Sequence, residues 1–313
     1  MSLTIGVDVG GTNIGAGVVS EDGEVLEKVR RETPADDVEA TERTIAELVG
    51  DLRQRHEIAA VGIGAAGWIS ADRSTVIFAP NLAWRDEPLR TEVEAAVDLP
   101  VVVENDANAA AWGEFRFGAG ADADDLMLVT VGTGVGGGIV LNGELVRGTF
   151  GIAAEIGHLR VVPNGHLCGC GLHGCLEQYA SGTALVRAAR ERATNEAGAA
   201  ALMSAAGADI AKIDGPMVTA LAKEGDAFCV GLFDGIGTWL GEGIASLAAV
   251  LDPGVVAIGG GVSEAAELLM RPTRSAFEAA LPGAGVRPLL ELRLATLGNT
   301  AGMIGAADLA RRG

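Results

Sequence analysis

Lysine is scarce in this chain, which has only three lysines among its 313 residues. They are Lys28, Lys212 and Lys223. None of them lies in a glycine-rich loop, and neither Gly-Lys-Ser nor Gly-Lys-Thr occurs, so a P-loop nucleotide site is excluded. A phosphate-binding site in this protein would therefore have to use backbone N–H groups together with a metal ion.

Positive charge as a whole is also low, because 42 Asp and Glu residues outnumber 23 Lys and Arg residues, for a formal net charge of -19. Nucleic acids and anionic membranes bind proteins through clustered Lys and Arg, so we expect neither as a partner. No basic or apolar leader precedes the first predicted strand, which runs from Leu3 to Asp8. The expected location is therefore the cytoplasm.

The sequence also lacks an uninterrupted apolar stretch of the length that a membrane span needs. The longest uncharged run, residues 126–143, contains six glycines and predicts two buried strands and a turn. The chain is 49% hydrophobic with charges spread throughout, as in a soluble globular protein. Its length suits two domains of roughly 100 to 200 residues each.

Two segments that begin 122 residues apart, at Ile5 and Met127, share one pattern. In the first, Ile5–Thr12 ends in a glycine-rich bend, and a second apolar stretch leads to the turn Asp22-Gly23. In the second, Met127–Gly134 ends in a similar bend, and a second apolar stretch leads to Asn142-Gly143. Each segment predicts a strand, a bend, a strand and a hairpin. The two halves of the chain therefore share the same predicted opening.

The second bend also matches a well-known fingerprint, because Gly132, Gly134 and Gly137 have the Gly-x-Gly-x-x-Gly spacing of dinucleotide-binding proteins. That fingerprint needs a helix after the glycines, and here a second strand is predicted instead. A Rossmann domain is therefore excluded.

The rest of the chain alternates between predicted strands and helices. Predicted helices cover residues 38–52, most of 176–251 with breaks near 207 and 215–216, 264–280 and 302–311, and predicted strands cover 59–64, 99–103, 255–258 and 290–294. Strands alternating with helices in each half predict an α/β protein with two lobes and a cleft between them.

Cysteine is rare but clustered, since three of the four cysteines fall within the eight residues Cys168–Cys175. His158 lies ten residues upstream of the first. Three thiols and an imidazole suit one tetrahedral zinc ion, and four protein ligands leave no position for a reactive water. We therefore predict a structural zinc site that fixes the residues around it. The predicted ligands are His158, Cys168, Cys170 and Cys175.

Alternatives to this zinc site remain open. His166 and His173 lie inside the cysteine loop and are rival ligands. The cysteines would otherwise be free or paired thiols, but a disulfide is disfavoured because small Cys-x-Cys loops are strained and no secretory leader is present. The fourth cysteine, Cys229, lies in an apolar stretch and is predicted to be a small core residue.

Two carboxylates lie at the ends of predicted strands. Asp8 precedes the first glycine bend, whose N–H groups can bind phosphate oxygens while Asp8 holds Mg²⁺ or its water, although the same residues also suit a tight turn. Asp106 follows the strand Leu99–Val103 at the start of a helix, where Asp is also a common N-cap. The predicted phosphate and magnesium residues are Asp8, Gly10, Gly11, Thr12, Gly132, Thr133 and Gly134.

Five motifs taken together resemble the ROK family of sugar kinases and sugar-responsive repressors, and most of all the bacterial ATP-dependent glucokinases of that family. They occur in the family's order, and the resemblance covers nearly the whole chain. The motifs are Asp8–Thr12, Glu104–Asn108, Gly132–Gly138, Glu155–His158 and Cys168–Glu177.

The resemblance implies the actin-like ATPase (ribonuclease H-like) fold, with a small lobe of residues 1–107 and about 300–313 and a large lobe of residues 108–299 that carries the zinc loop. It implies transfer of the γ-phosphate of Mg-ATP to the 6-hydroxyl of glucose, with Asp106 as the general base. It also implies a homodimer or homotetramer.

The resemblance further implies which residues bind sugar and adenosine. Glu155 and Glu177 adjoin predicted zinc ligands, and a carboxylate can accept hydrogen bonds from two vicinal sugar hydroxyls. Gly259, Gly260 and Gly261 follow a predicted strand and resemble the family's adenosine-binding turn, although a plain strand-to-helix loop would look the same. The implied sugar contacts are Gly67, Asn105, Asp106, Glu155, His158 and Glu177.

Other functions fit the same motifs less well. Kinases for N-acetylmannosamine, fructose or allose share them, and only the segment Phe78–Trp84 favours glucose. Polyphosphate-dependent relatives generally lack the cysteine cluster. A repressor would carry a helix-turn-helix domain ahead of this portion, whereas seven residues precede Asp8. A non-catalytic sugar sensor would not need the intact Asp8, Asp106 and glycine bends.

Overall fold

The computed structural model of the protein describes residues 2–312 and contains three β-sheets. The strands are β1 (Leu3–Val9), β2 (Asn13–Val19), β3 (Val25–Glu32), β4 (Ile58–Ala65), β5 (Trp68–Ile69), β6 (Val76–Phe78), β7 (Arg85–Glu87), β8 (Val101–Asn105), β9 (Leu126–Val131), β10 (Val135–Leu141), β11 (Glu144–Leu145), β12 (Val255–Gly259) and β13 (Glu291–Leu294). The helices are α1 (Val38–Arg53), α2 (Leu89–Val97), α3 (Asp106–Phe117), α4 (Glu177–Ala180), α5 (Gly182–Ala193), α6 (Ala200–Ala205), α7 (Gly215–Lys223), α8 (Ala227–Leu251), α9 (Glu267–Ala280) and α10 (Ala301–Arg312).

Two of the sheets are five-stranded and have the same construction. The first has the order β3-β2-β1-β4-β8, with β1 antiparallel to β2 and parallel to β4. The second has the order β11-β10-β9-β12-β13, with β10 antiparallel to β11 and β12 parallel to β13. Each sheet therefore joins a strand, a bend, a strand and a hairpin to two strands from further along the chain. The predicted repeat is confirmed.

Helix α1 shows why the sequence pattern predicted it. Its N-cap Asp37 accepts a hydrogen bond from the backbone N–H of Ala40 at 2.9 Å, which satisfies one donor of the first turn. The buried side chains Ile45, Leu48 and Leu52 recur at helical spacing and join the core of the first sheet. The predicted helix, residues 38–52, matches the structure to within one residue.

Helix α10 lies directly on the first sheet, over β1 and β4. Glycines allow this close approach: a Cβ on Gly6 would lie 1.8 Å from the carbonyl oxygen of Met303, and one on Gly62 would lie 1.8 Å from that of Ala306. The last helix of the chain is thereby packed against its first strand.

The chain divides into two compact units. Unit 1 comprises Met1–Leu128, Gly137–Ala154 and Ala295–Gly313, and unit 2 comprises Val129–Gly136 and Glu155–Leu294. The small lobe predicted from the sequence ends at residue 107, whereas unit 1 continues through α3, because α3 packs on α10 and β4. The lobe boundaries themselves stay a prediction.

Some elements were absent from the sequence-based prediction. The three-stranded sheet β5-β6-β7 was missed because strands of two or three residues are too short to show a hydrophobic alternation. The predicted breaks near Gly207 and Gly215-Pro216 are confirmed, because α6 ends at Ala205 and α7 begins only at Gly215, where Asp214 caps the helix and proline is tolerated. Cys229 is fully buried in α8, which confirms its predicted place in the core.

Among residues 2–312, no helix has both the length and the apolar character needed to cross a membrane.

Candidate active site

Asp8 is the penultimate residue of β1, and the bend Gly10–Thr12 leads from it to β2. The bend is held by a hydrogen bond from the backbone N–H of Gly10 to the carbonyl of Asn13 at 3.1 Å and by the Thr33 hydroxyl, which donates to the Gly10 carbonyl at 2.7 Å. Burial raises the pKa of Asp8, because desolvation disfavours the charged carboxylate. A bound cation would offset that penalty, and a carboxylate is a ligand type that Mg²⁺ prefers.

Asp106 begins helix α3 directly after β8. Asn105 is the N-cap, and its side-chain oxygen accepts from the backbone N–H of Asn108 at 3.0 Å. The amide nitrogen of Asn105 donates to the Gly67 carbonyl at 3.0 Å and to Oδ1 of Asp106 at 3.1 Å. The backbone N–H of Ala107 donates to the same Oδ1 at 2.9 Å. Through Asn105, the structure therefore brings together three predicted sugar contacts of unit 1.

Glu104 supports the segment Asn105-Asp106 and is itself only 1% exposed. Its Oε2 lies 3.0 Å from Nε of Arg73 and 2.7 Å from Nε of Arg147. Its Oε1 accepts from the backbone N–H of Asn105 at 3.0 Å and from Nδ2 of Asn108 at 3.2 Å. A buried carboxylate needs both charge pairing and hydrogen bonds, and Glu104 has both. It therefore fixes the position of the Asn105-Asp106 pair.

Arg147 is a positioning residue that the sequence analysis missed. It also donates to the carbonyls of Ala71 at 2.6 Å and Ser70 at 2.9 Å, and so ties a loop of unit 1 to Glu104. Nothing near Arg147 in the sequence indicates this role. The only available signal was that Glu104, between a valine-rich strand and a helix, needs a cationic partner.

The second glycine bend, Gly132–Gly134, lies in unit 2. It is closed by a hydrogen bond from the backbone N–H of Gly132 to the Gly134 carbonyl at 2.9 Å. The start of α5 supports it from outside: the backbone N–H of Gly182 donates to the Gly132 carbonyl, and the Thr183 hydroxyl donates to the Thr133 carbonyl, each at 2.7 Å. All three carbonyls of the bend and the N–H of Gly132 are thus used within the protein, so that ligand binding by this bend would fall to the N–H groups of Thr133 and Gly134.

Gly259 ends β12, and Gly260 and Gly261 follow it beside this bend. Gly260 has a positive φ of 84°, and a Cβ on it would lie 2.5 Å from the carbonyl oxygen of Val131, the last residue of β9. Only glycine allows the turn to come this close. The predicted adenosine turn and the second bend are therefore neighbours within unit 2.

The four predicted zinc ligands lie together in unit 2. The ligand atoms of His158, Cys168, Cys170 and Cys175 all lie within 4.8 Å of one another. Nδ1 of His158 is 3.6 Å from Sγ of Cys168, and Sγ of Cys170 is 3.6 Å from Sγ of Cys175. Sulfur ligands about 2.3 Å from a tetrahedral zinc ion lie about 3.8 Å apart, so the donor atoms fit zinc.

The rival histidines lie outside this group. Nδ1 of His173 is 2.9 Å from the Gly165 carbonyl, and the ring of His166 lies against that of Tyr179 in a tilted arrangement with centroids 5.3 Å apart. Burial raises the pKa of the Cys175 thiol to about 12. A bound cation would lower the pKa of this thiol again, because it stabilises the thiolate, which is the form that binds metal.

Both predicted sugar carboxylates of unit 2 adjoin these ligands. Oε2 of Glu155 lies 3.9 Å from Nε2 of His158. Oε1 of Glu177, the first residue of α4, lies 3.7 Å from Sγ of Cys168, and its Oε2 accepts from the backbone N–H of Val135 at 3.2 Å. A metal at the four ligands would therefore hold the two chain segments that carry these carboxylates.

Two sheets with the same strand, bend, strand and hairpin, and with a carboxylate at the first bend, are the construction of an actin-like ATPase. The predicted fold class is confirmed. Within that class, the chain belongs to the ROK family, whose model matches residues 4–313. The resemblance drawn from the five motifs is thereby confirmed.

Individual relatives match the whole chain. The chain is 50% identical over 312 residues to a glucokinase from Streptomyces coelicolor, with 99% of this chain and 98% of the relative covered. It is 42% identical over 318 residues to a glucokinase from Halalkalibacterium halodurans, with 98% and 94% covered. A solved structure of a ROK family glucokinase from Streptomyces griseus in complex with glucose and AMPPNP has a TM-score of 0.90 and 50% identity, with 100% of both chains covered.

Proposed function

We propose that this protein is an ATP-dependent glucokinase that transfers the γ-phosphate of Mg-ATP to the 6-hydroxyl of glucose. The observation that carries the proposal is Asp106 at the end of β8, hydrogen-bonded to Asn105, which in turn binds Gly67. Full-length similarity to glucokinases, one of them described with glucose and AMPPNP, supports this pair of substrates.

Asp106 acts in this proposal as the general base. A neutral hydroxyl is a poor nucleophile, and the carboxylate takes its proton as the hydroxyl attacks the γ-phosphate. The transition state of phosphoryl transfer is loose, so the protein chiefly has to position the reactants and neutralise charge. Backbone N–H groups of Gly11 and Thr12 in the first bend and of Thr133 and Gly134 in the second do this, because the N–H groups of Gly10 and Gly132 already donate within their own bends. Asp8 would hold the Mg²⁺ or its water. Bound Mg²⁺ supplies further charge neutralisation at the phosphates.

The residues assigned to glucose recognition are those that the family resemblance implies. Asn105 and Asp106 with Gly67 are the proposed contacts in unit 1, and Glu155, His158 and Glu177 are those in unit 2. The carboxylates can each accept hydrogen bonds from neighbouring hydroxyls and so read the configuration of a pyranose. A structural zinc ion at His158, Cys168, Cys170 and Cys175 would orient the residues of unit 2.

Initial rates with Mg-ATP across glucose, mannose, fructose, N-acetylglucosamine and N-acetylmannosamine test this function. We expect glucose to give the highest kcat/KM. A higher value for another sugar would make the protein a kinase for that sugar. Binding of a sugar without turnover of any would make it a sugar-sensing regulator.

The zinc assignment has its own prediction. Cys168→Ser should abolish the binding of one zinc per chain and raise the Kd for glucose, because the metal orients Glu155 and Glu177. Metal content by mass spectrometry and glucose binding by calorimetry are the measurements. Cys229→Ala is the matched control, since Cys229 is buried in α8 and is not among the grouped ligands. Full glucose affinity in a zinc-free Cys168→Ser protein would limit the metal to holding the loop.

A homodimer or homotetramer and a cytoplasmic location complete the proposal. The oligomeric state is what the family resemblance implies, and the location is the one expected for the glucokinases that the chain resembles. Sedimentation velocity of the purified protein measures the first, and fractionation of the source cells measures the second.

A further inference from the structure

Val135, which follows the second glycine bend, is held from two sides. Oε2 of Glu177 accepts a hydrogen bond from its backbone N–H at 3.2 Å. Gly134 leaves room for that carboxylate, since a Cβ there would lie 2.2 Å from the same oxygen. On the other side, Gly157 packs so closely that a Cβ on it would lie 2.0 Å from the Val135 carbonyl oxygen. Both peptide groups of Val135 are therefore in contact with neighbouring segments.

These two contacts come from the two segments that carry the grouped ligand atoms. Gly157 directly precedes His158. Glu177 follows Cys175 by two residues, and its Oε1 lies 3.7 Å from Sγ of Cys168. A metal bound to the histidine and the cysteines would join the two segments through coordinate bonds, and a metal site of this kind stabilises the structure that it closes. Val135 lies where both segments meet the bend.

The chain after α4 continues the same support. The backbone N–H of Gly182 and the hydroxyl of Thr183 donate to the carbonyls of Gly132 and Thr133, each at 2.7 Å. Gly132, Thr133 and Val135 are therefore each hydrogen-bonded to the segment between Glu177 and Thr183, which begins two residues after a metal ligand.

We propose that Glu177 is a positioning residue for the bend Gly132–Val135, through which the metal site sets the geometry of the phosphate-binding surface. This inference rests on the proposed function, because that function makes the bend part of the Mg-ATP site. The metal then governs nucleotide affinity as well as sugar affinity. Its effect on the nucleotide is present even when no sugar is bound.

Binding of Mg-AMPPNP in the absence of sugar tests the role of Glu177, measured by calorimetry on the metal-loaded protein. Glu177→Ala should weaken binding about tenfold, the loss expected for one hydrogen bond to a charged acceptor. Glu177→Gln should stay within about threefold of the wild type, because its amide oxygen can still accept from Val135. Equal affinity in the wild type and Glu177→Ala would overturn the proposal.

Hydrogen exchange of peptides covering residues 132–136 gives a second readout that needs no turnover. Faster exchange in Glu177→Ala and in zinc-free Cys168→Ser, with wild-type exchange in Cys229→Ala, is the expected result. Unchanged exchange in both variants would contradict the proposed coupling. If Cys168→Ser does not fold, Glu177→Ala and Glu177→Gln decide alone. Failure of the wild type to phosphorylate glucose would instead contradict the proposed function and leave the exchange result to stand by itself.

Discussion

Asp106→Asn is expected to lower kcat for glucose phosphorylation by about 10² to 10⁴-fold, the range that loss of a general base produces. The Kd for glucose should stay within about tenfold, because a base acts in the transition state rather than in the ground state. The measurements are steady-state rates with Mg-ATP and calorimetric titration with glucose. Near-normal turnover would remove Asp106 from its catalytic role.

The substitution Asp106→Asn is expected to keep the local hydrogen bonds of the aspartate. An asparagine at position 106 keeps a side-chain oxygen that can accept from the backbone N–H of Ala107 and from the Asn105 amide, as the aspartate does. Asp98→Asn is the matched control: Asp98 is an exposed residue in the left-handed conformation after α2, which asparagine also tolerates. Its turnover should equal that of the wild type.

Glu104→Ala is expected to lower the free energy of unfolding by about 3–5 kcal/mol, because it leaves two guanidinium groups without their buried partner. Arg147 is the more buried of the two, with 11% of its side chain exposed against 28% for Arg73. The change also removes the acceptor for Asn105 and Asn108. Turnover should therefore fall along with stability, since the segment that holds Asp106 loses its support.

Urea unfolding followed by tryptophan fluorescence measures this loss, and three of the four tryptophans, Trp68, Trp84 and Trp112, lie in unit 1 with Glu104. Glu39→Ala is the control, because its ion pair with Arg43 is exposed and such pairs contribute little. The free energy of unfolding of Glu104→Gln should lie between those of the wild type and Glu104→Ala, because an amide keeps hydrogen bonds but not the charge. An unchanged urea midpoint in Glu104→Ala would show that the buried cluster does not stabilise unit 1.

Local chemistry explains what the sequence predicted correctly. Three cysteines within eight residues are typical of a metal site. The structure groups them with His158 rather than with His166 or His173. The two glycine bends were predictable because a strand, a bend, a strand and a hairpin all lie within about 20 consecutive residues, so the pattern is complete without tertiary information.

Contacts between distant segments could not be predicted in this way. The hydrogen bond from Val135 to Glu177 and the pairing of Arg147 with Glu104 each join residues about 40 positions apart, and neither has a local pattern. The short strands β5 to β7 were missed for a related reason, since pairing with each other rather than their own sequence makes them strands.

By itself, the sequence determined which residues are available for chemistry: no P-loop lysine, two glycine bends after strands, three cysteines within eight residues and a carboxylate after a strand. These features are residue types and short spacings along the chain, and they are the same in every conformation of the chain. Only the tertiary structure decided which histidine joins the cysteines, which cation neutralises Glu104 and which bend Glu177 supports. Those choices depend on which surfaces pack together, and packing is set by the whole core rather than by any one segment.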